Sequence, residues 1–401
     1  MVWQYERWTY PEPVDDLDSP KLAQHIESFR TLKYLSPAYW PLGQPREDLD
    51  ILVAGCGTVA AAAVARFFPA CRVVGIDISQ TSLDHQDRLR QRHGLANLEL
   101  RRLPVERAVE LGRRFDYIAC HGVLHHLPDP GAGLRGLTSA LNPEHGVIAL
   151  MLYAKYGRAP VYWMQELFQI LKLEQTSADV GVVRDTLAAL PADHPLRPYL
   201  KLDAFGVGSD AGLVDMFLHR RDRAYSVSDC LALLDGAGLA FQGWDNNLFY
   251  HPDAFCPKGS LLRDRFDRLP EPRLWEAMEL LLGRISSHWF FACSKDRKPE
   301  TYRIPWDSNE LAGWIPLRAA QLASRQGAAG AEYAMAGENR PTVPITAQQA
   351  VMLTQIDGKR TAGQCAVAAG LSTDISTLPD SARDLLRMMF RTGYGLVCKC
   401  R

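Results

Sequence analysis

The chain of 401 residues has no uninterrupted apolar run near the ~20 residues that a membrane span requires. It has no CxxC pair and no Cys and His spacing of the zinc-finger kind. Its nine cysteines, at 56, 71, 120, 230, 256, 293, 365, 398 and 400, are odd in number and scattered, as reduced thiols of a cytoplasmic protein are. Charge of one sign is missing too: 45 Lys and Arg face 46 Asp and Glu, for a net −1. That balance argues against nucleic acid and membrane as partners, since neither finds a global field to draw it. The opening MVWQYERWTYPEP lacks the basic-then-apolar order of a secretory signal, so a cytoplasmic location is expected. The tail Cys398-Lys399-Cys400-Arg401 reads as a pair of exposed thiols, with a metal site as the alternative. No internal repeat is found.

What remains is a globular composition, 47% hydrophobic and 23% charged, long enough for two or three domains. Residues 1–48 form an aromatic arm carrying Trp3, Tyr5, Trp8, Tyr10, Tyr34, Tyr39 and Trp40, with a helix expected over Pro20–Leu35. From Leu49 short apolar runs alternate with helical ones. Strands are expected at 51–55, 71–77, 98–100, 115–120 and 147–153, and helices at 60–68, 79–92 and 131–141. That alternation implies a doubly wound, mostly parallel α/β sheet. Residues 155–225 are helical and broken by prolines, an insertion where substrate pockets are often shaped. The rhythm resumes with a helix opened by Ser226-Val227-Ser228-Asp229, strands at 239–244 and 288–294, and a helix at 273–284 between them. Residues 295–332 are polar and Ala-rich with several breaks.

The turn after the first strand is Gly55-Cys56-Gly57-Thr58-Val59. Glycines there accept unusual backbone angles and let a ligand approach the main chain, while the next helix offers free amides. Twenty-two residues on, at the end of the second strand, Asp77 stands where a carboxylate can accept hydrogen bonds from ribose hydroxyls. Its other reading is the N-cap of the helix that follows.

DILVAGCGTV, VVGIDIS, LPVE and FDYIACHGVLHHLPDP, in this order and spacing, resemble the successive motifs of the class I S-adenosylmethionine-dependent methyltransferases. The resemblance covers about 49–155 closely and 226–295 more loosely. It implies a Rossmann-like seven-stranded sheet, a methyltransferase domain over 49–298, and S-adenosyl-L-methionine as cofactor. Gly55, Cys56 and Gly57 would admit its methionine part, Asp77 its ribose, and Ile78 would lie beside its adenine. Where the family often has Gly-Asp and a hydrophobic residue, this chain has Arg102-Leu103-Pro104-Val105-Glu106, so the polar adenine contact falls to main-chain groups of Leu103 or to Glu106, with Pro104 counted among the cofactor-binding residues. The third glycine common in the first motif is replaced by Val59. The matching segment after the fourth strand places His121 at the cofactor and substrate, and His125 as an anchor of its loop. Three histidines in six residues invite a metal reading, but no acidic or thiol partner stands beside them at a regular spacing, so none is assigned.

A sulfonium methyl is already electrophilic, so the acceptor end needs alignment, dryness and a proton acceptor rather than a fixed triad. Three segments could supply these. The aromatic arm could close as a lid, since a cation sits well on aromatic faces, or pack as an ordinary extension. Tyr153-Ala154-Lys155-Tyr156-Gly157-Arg158, leaving the fifth strand, could bind an anionic acceptor through Lys155 or Arg158. Asp215 and His219, four apart, could share a helix face as base and orienter, or form surface salt bridges. The catalytic candidates are therefore His121, Tyr153, Asp215 and His219. Residues 299–401 begin with a linker, and 345–397 have the helix, helix, helix, strand order of a winged-helix-like unit, for packing, possible homodimerisation or peptide binding. The expected activity is methyl transfer to O or N of a small molecule or peptide. A cofactor-binding sensor without catalysis, or an RNA methyltransferase, is the alternative.

Overall fold

The computed structural model describes residues 2–19, 22, 26–202, 208–319, 322–326, 333–336 and 341–399. The chain forms two compact units. The first comprises Met1–Leu32, Arg46–Phe241 and Gly283–Lys295; the second comprises Lys33–Pro45, Gln242–Leu282 and Asp296–Arg401.

Seven strands make the main sheet: β1 (Asp50–Ala54), β2 (Arg72–Asp77), β3 (Leu98–Arg102), β4 (Tyr117–His121), β5 (Val147–Tyr153), β6 (Leu239–Trp244) and β7 (Ser287–Ser294). Their order is β3-β2-β1-β4-β5-β7-β6. The pairs among β1 to β5 are parallel, with Ile51 opposite both Val73 and Tyr117, and β7 runs antiparallel to β5. The expected Rossmann-like sheet is the one found. The chain winds outward from β1 to β2 and β3, then returns to β4 on the other side of β1. The carboxyl ends of β1 and β4 therefore flank the point where the winding reverses, the place at which open α/β sheets bind ligands.

Helix Ala60–Phe67 is nearly all alanine on its buried side, with Ala61, Ala62, Ala63 and Ala65 buried. That side meets β2 at Gly75, where an added Cβ would lie 2.6 Å from the Ala61 Cβ. Small residues on both partners thus bring helix and strand together, and they do so although Val59 replaces the usual third glycine. Helix Val227–Gly236 opens at Ser226 as expected, through a capping box in which Ser226 and Asp229 satisfy each other's backbone amides.

The insertion folds as helices Ala159–Ile170, Ser177–Ala189, Leu196–Leu202 and Asp210–Phe217 around Val161, Phe168, Val183, Leu213 and Phe217. Trp8 of the arm packs on that cluster. Of the helix expected over Pro20–Leu35, residues 20, 21 and 23–25 lie outside the described residues, and the described helix is Ile26–Tyr39, which continues through Pro37.

In the second unit, helices Ala347–Gln355, Ala362–Ala368 and Asp380–Arg391 pack around Leu353, Cys365, Leu385 and Met389, in the winged-helix-like order. Strands β8 (Ile315–Arg318) and β9 (Ala323–Gln326) arise in the stretch that reads as polar breaks, because four-residue strands are too short to show alternation. Strand β9 pairs with β10 (Tyr333–Ala336), which pairs with β11 (Val343–Ile345); β12 (Gly395–Cys398) pairs with β8. Cys398 is consequently buried in β12 rather than exposed, and Cys400 lies outside the described residues. The eight described cysteines, Cys398 among them, are all free and buried.

Filling the contact at Gly75 tests the helix-to-sheet seam. Gly75→Val is expected to lower stability by about 1–3 kcal/mol, the usual cost of overpacking, read as a lower urea midpoint with an unchanged slope. Ser226→Ala should cost about 1 kcal/mol by removing the cap, measured in the same way.

Candidate functional site

At the carboxyl end of β1 the chain turns through Gly55 (φ 69°) and Gly57 (φ 53°), both left-handed, where a side chain is strained. The turn is tied to the neighbouring strand: the amides of Gly55 and Cys56 both donate to Ile76 O, at 2.8 and 3.0 Å. Asp77 completes the tie. Its carboxylate accepts from the amides of Gly57 (2.8 Å) and Ser79 (2.9 Å). Burial raises its pKa, against the opposing pull of those amides. The N-cap of helix Gln80–Arg92 is Ser79, whose hydroxyl accepts from the Ser82 amide, so Asp77 does not serve as the cap.

These residues form one end of a cavity of about 280 Å³. Gly55, Cys56, Gly57, Asp77, Ile78, Leu103 and Glu106 all reach its wall, and so do His121, Tyr153 and Asp215. Pro104 does not; it precedes the 3-10 turn Val105–Leu111, and Val105 takes the wall position. The Leu103 amide is already donated to Asp77 O at 3.0 Å, which leaves its carbonyl for any adenine contact. The Cys56 thiol is buried and its pKa is pushed up, so it stays protonated.

The aromatic arm reaches the same cavity through Tyr5, Tyr10 and Pro11. It is tethered there: Thr58 Oγ1 donates to Pro11 O (2.9 Å), Ser79 Oγ to Tyr5 O (3.3 Å), and the Gln80 amide to Glu6 (2.7 Å). Glu6 thus sits at the first turn of helix Gln80–Arg92, where a carboxylate is favoured, and its pKa is lowered, chiefly by the Thr81 hydroxyl.

The far end of the cavity is made where Asp215–Tyr225 is pinned to the end of β5. The Tyr225 amide donates to Tyr153 O (2.9 Å) and the Lys155 amide to Tyr225 O (2.8 Å). Helix Asp210–Phe217 stops before His219, so Asp215 and His219 do not share a continuous helix face. Tyr5 joins them instead, its hydroxyl lying 3.4 Å from Asp215 Oδ1 and 3.3 Å from His219 Nε2. His219 is buried behind the wall, and His126 takes the wall position beside Asp215. His126 Nδ1 is 2.9 Å from Arg221 O, and the Arg221 amide donates to His219 Nδ1 at 3.0 Å. The main chain of one residue, Arg221, therefore assigns both tautomers. His126 carries its proton on Nδ1 and presents a bare Nε2, whereas His219 carries its proton on Nε2, toward Tyr5.

Burial keeps the imidazoles uncharged: His121 and His219 titrate near about 4, and His125 and His126 are also lowered. His121 lies against Trp289, ring centroids 4.9 Å apart. His125 anchors its loop by stacking on Tyr153 (3.9 Å), for neither ring nitrogen has a hydrogen-bond partner. The guanidinium of Arg158 lies 3.5 Å from the same ring, necessarily on its other face. Tyr153 thus has both faces covered, and burial holds its phenol protonated. Arg158 is 1% exposed and paired with Asp222 at 3.7 Å, so it is a structural cation and offers nothing to an anionic acceptor. Lys155 is exposed, its Nζ 5.6 Å from the Tyr156 ring. The acidic partners missing beside the histidines arrive from far along the chain: Asp215 lies with His126 and His219, and Asp222 with His125 and His126. The double histidine at 125 and 126 was the only signal, and the 3-10 turn Leu124–His126 decides which ring faces the cavity.

Asp215 is raised to about 6, first by burial and also by the Asp222 charge, against the opposing pull of His219, Arg158 and the Tyr5 hydroxyl. A raised carboxyl stabilises the fold fully below the unfolded value near about 4, and that contribution is lost as pH rises through about 6. Asp215→Asn is therefore expected to raise the melting temperature at pH 8 and to leave it nearly unchanged near pH 4. A gain equal at both pH values in calorimetric melts would contradict a buried charge at this position.

A methyltransferase-domain family model matches residues 52–148. An uncharacterized protein of Synechococcus, syc1184_c, is 31% identical over 322 residues, 78% of this chain and 75% of that protein. The ubiquinone biosynthesis O-methyltransferase of Acinetobacter baylyi is 30% identical over 95 residues, 23% of this chain and 39% of the enzyme. Among solved structures, PKMT2 of Rickettsia typhi superposes with a TM-score of 0.61 at 16% identity, covering 98% of this chain and 76% of PKMT2, and it is also solved with AdoHcy at a TM-score of 0.59. Fold and family agree with the motifs around Gly55 and Asp77, and the chain belongs to the class I S-adenosylmethionine-dependent methyltransferases.

Proposed function

We propose that this protein transfers the methyl group of S-adenosylmethionine to an oxygen or nitrogen nucleophile of a small molecule or peptide. The observation that carries the reading is the continuity of one cavity, from the glycine turn and Asp77 at one end to His126, Asp215 and Tyr153 at the other. Gly55, Cys56 and Gly57 would hold the methionine part, with left-handed glycines leaving the main chain open to it. Asp77 would take the ribose, Ile78 and Val105 would flank the adenine, and Glu106 or the Leu103 carbonyl would meet its polar edge. The bound cofactor supplies an electrophilic methyl on a sulfonium.

The chain's own residues then have three tasks. Tyr5, Tyr10 and Pro11 of the arm cover the cavity and exclude water from it. The Arg221 carbonyl, by taking the Nδ1 proton, leaves Nε2 of His126 bare as the proton acceptor, and burial keeps that imidazole neutral. His219 and the Tyr5 hydroxyl position Asp215 from behind. His121 shapes the wall at the methyl end, packed on Trp289.

Two measurements test this. Asp77→Ala should weaken S-adenosylmethionine binding by roughly tenfold or more, the loss of charge-assisted hydrogen bonds; calorimetry that finds unchanged affinity removes the site. His126→Ala should retain cofactor affinity and lower methyl transfer by about 10²–10⁴, measured with labelled cofactor and a cell extract. Tight binding without any transfer by the parent protein would make it a sensor instead.

A further inference from the structure

The acceptor end of the cavity carries one negative charge, on Asp215, for which no cation among the described residues lies within ion-pair distance. Asp215 is 5% exposed and lies on the cavity wall, and its side chain's hydrogen-bond partner is the Tyr5 hydroxyl at a long 3.4 Å. Around it, Arg158 and Asp222 form an internal pair that cancels. His121, His125, His126 and His219 are all held neutral by burial. An isolated buried carboxylate is costly unless a cation joins it. Tyr5, Tyr10 and Trp289 line the same cavity and supply rings of the kind on which ammonium groups rest.

Resting on the proposed methyl transfer, we infer that the acceptor is an amine, which enters as an ammonium and is received by the Asp215 carboxylate with His126 Nε2 beside it. The ligand atoms of His126, Asp215 and His219 lie within 4.8 Å of one another, so a single nitrogen reaches both of the first two. The same cluster does not make a metal site. Because His219 Nδ1 accepts the Arg221 amide, its Nε2 bears the ring proton, and His126 Nε2 and Asp215 are left as two donors where a bound transition metal takes three or more from the protein. The chemistry balances. The ammonium gives one proton to His126 Nε2, helped by repulsion from the nearby sulfonium. The freed nitrogen lone pair forms the new N–C bond as the C–S bond breaks with its electrons on sulfur. The methylated ammonium and the neutral thioether leave, and His126 returns its proton to water.

The test uses the full chain saturated with S-adenosylhomocysteine, with n-butylammonium and 1-butanol as probes, followed by calorimetry at pH 7.5. Butylammonium is expected to bind at least tenfold more tightly than butanol, and Asp215→Asn is expected to abolish the preference while keeping its cooperative melt. Equal binding of the two probes, binding of neither, or a preference that survives Asp215→Asn overturns the inference. So does an Asp215→Asn variant that loses affinity for S-adenosylmethionine but keeps it for S-adenosylhomocysteine, since Asp215 would then serve the sulfonium. Stoichiometric zinc or manganese bound through Asp215, read by elemental analysis, would overturn it as well. Failure of either cofactor to bind the parent protein would instead refute the methyltransferase reading itself.

Discussion

Much of the first unit hangs on the tie between the ends of β1 and β2. Gly55 and Cys56 spend their amides on Ile76, and Asp77 gathers the amides of Gly57 and Ser79 into one carboxylate. A turn with two left-handed glycines has many alternatives open to it, and these bonds select one. Once it is fixed, helix Ala60–Phe67 is aimed along β2, and Gly75 lets the two approach. The arm then has a fixed surface to lie on: an added Cβ at Gly57 would meet Pro11 Cδ at 3.0 Å. Floor and cover of the cavity are thus set by the same few amides.

The other end works by electrostatics in a dry environment. Burial strips the histidines of charge, an internal ion pair absorbs Arg158 and Asp222, and what is left at this end of the cavity is the Asp215 carboxylate. The Arg221 main chain adds direction, since its N–H and its C=O fix which nitrogen of each imidazole carries the proton. Rigid backbone rather than flexible side chains therefore decides where a proton can be received. That arrangement suits a reaction whose electrophile needs no activation and whose nucleophile must lose a proton.

Strands of buried parallel sheet, the glycine turn and Asp77 were legible because their signals are local: apolar runs, left-handed residues, and a fixed separation between two strand ends. β6 begins and ends where its sequence says, and the Ser226 capping box is written in four consecutive residues. Short strands β8 and β9 were not legible, since their pairing rather than their composition makes them strands. The fate of Arg158 was hidden for a similar reason. A basic residue beside a strand end looks like an anion site until Asp222, 64 positions later, is seen to claim it.

The sequence alone determined the sheet, the glycine turn with Asp77 beside it, and several of the ionisable residues that line the cavity, because backbone geometry depends on neighbours in the chain. Tertiary structure alone decided which of those residues are charged, which imidazole nitrogen is bare, and that Tyr5 of the arm joins Asp215 to His219. Charge and tautomer are set by desolvation and by partners distant in sequence, and these exist only after the arm, the histidine loop and the insertion have packed together.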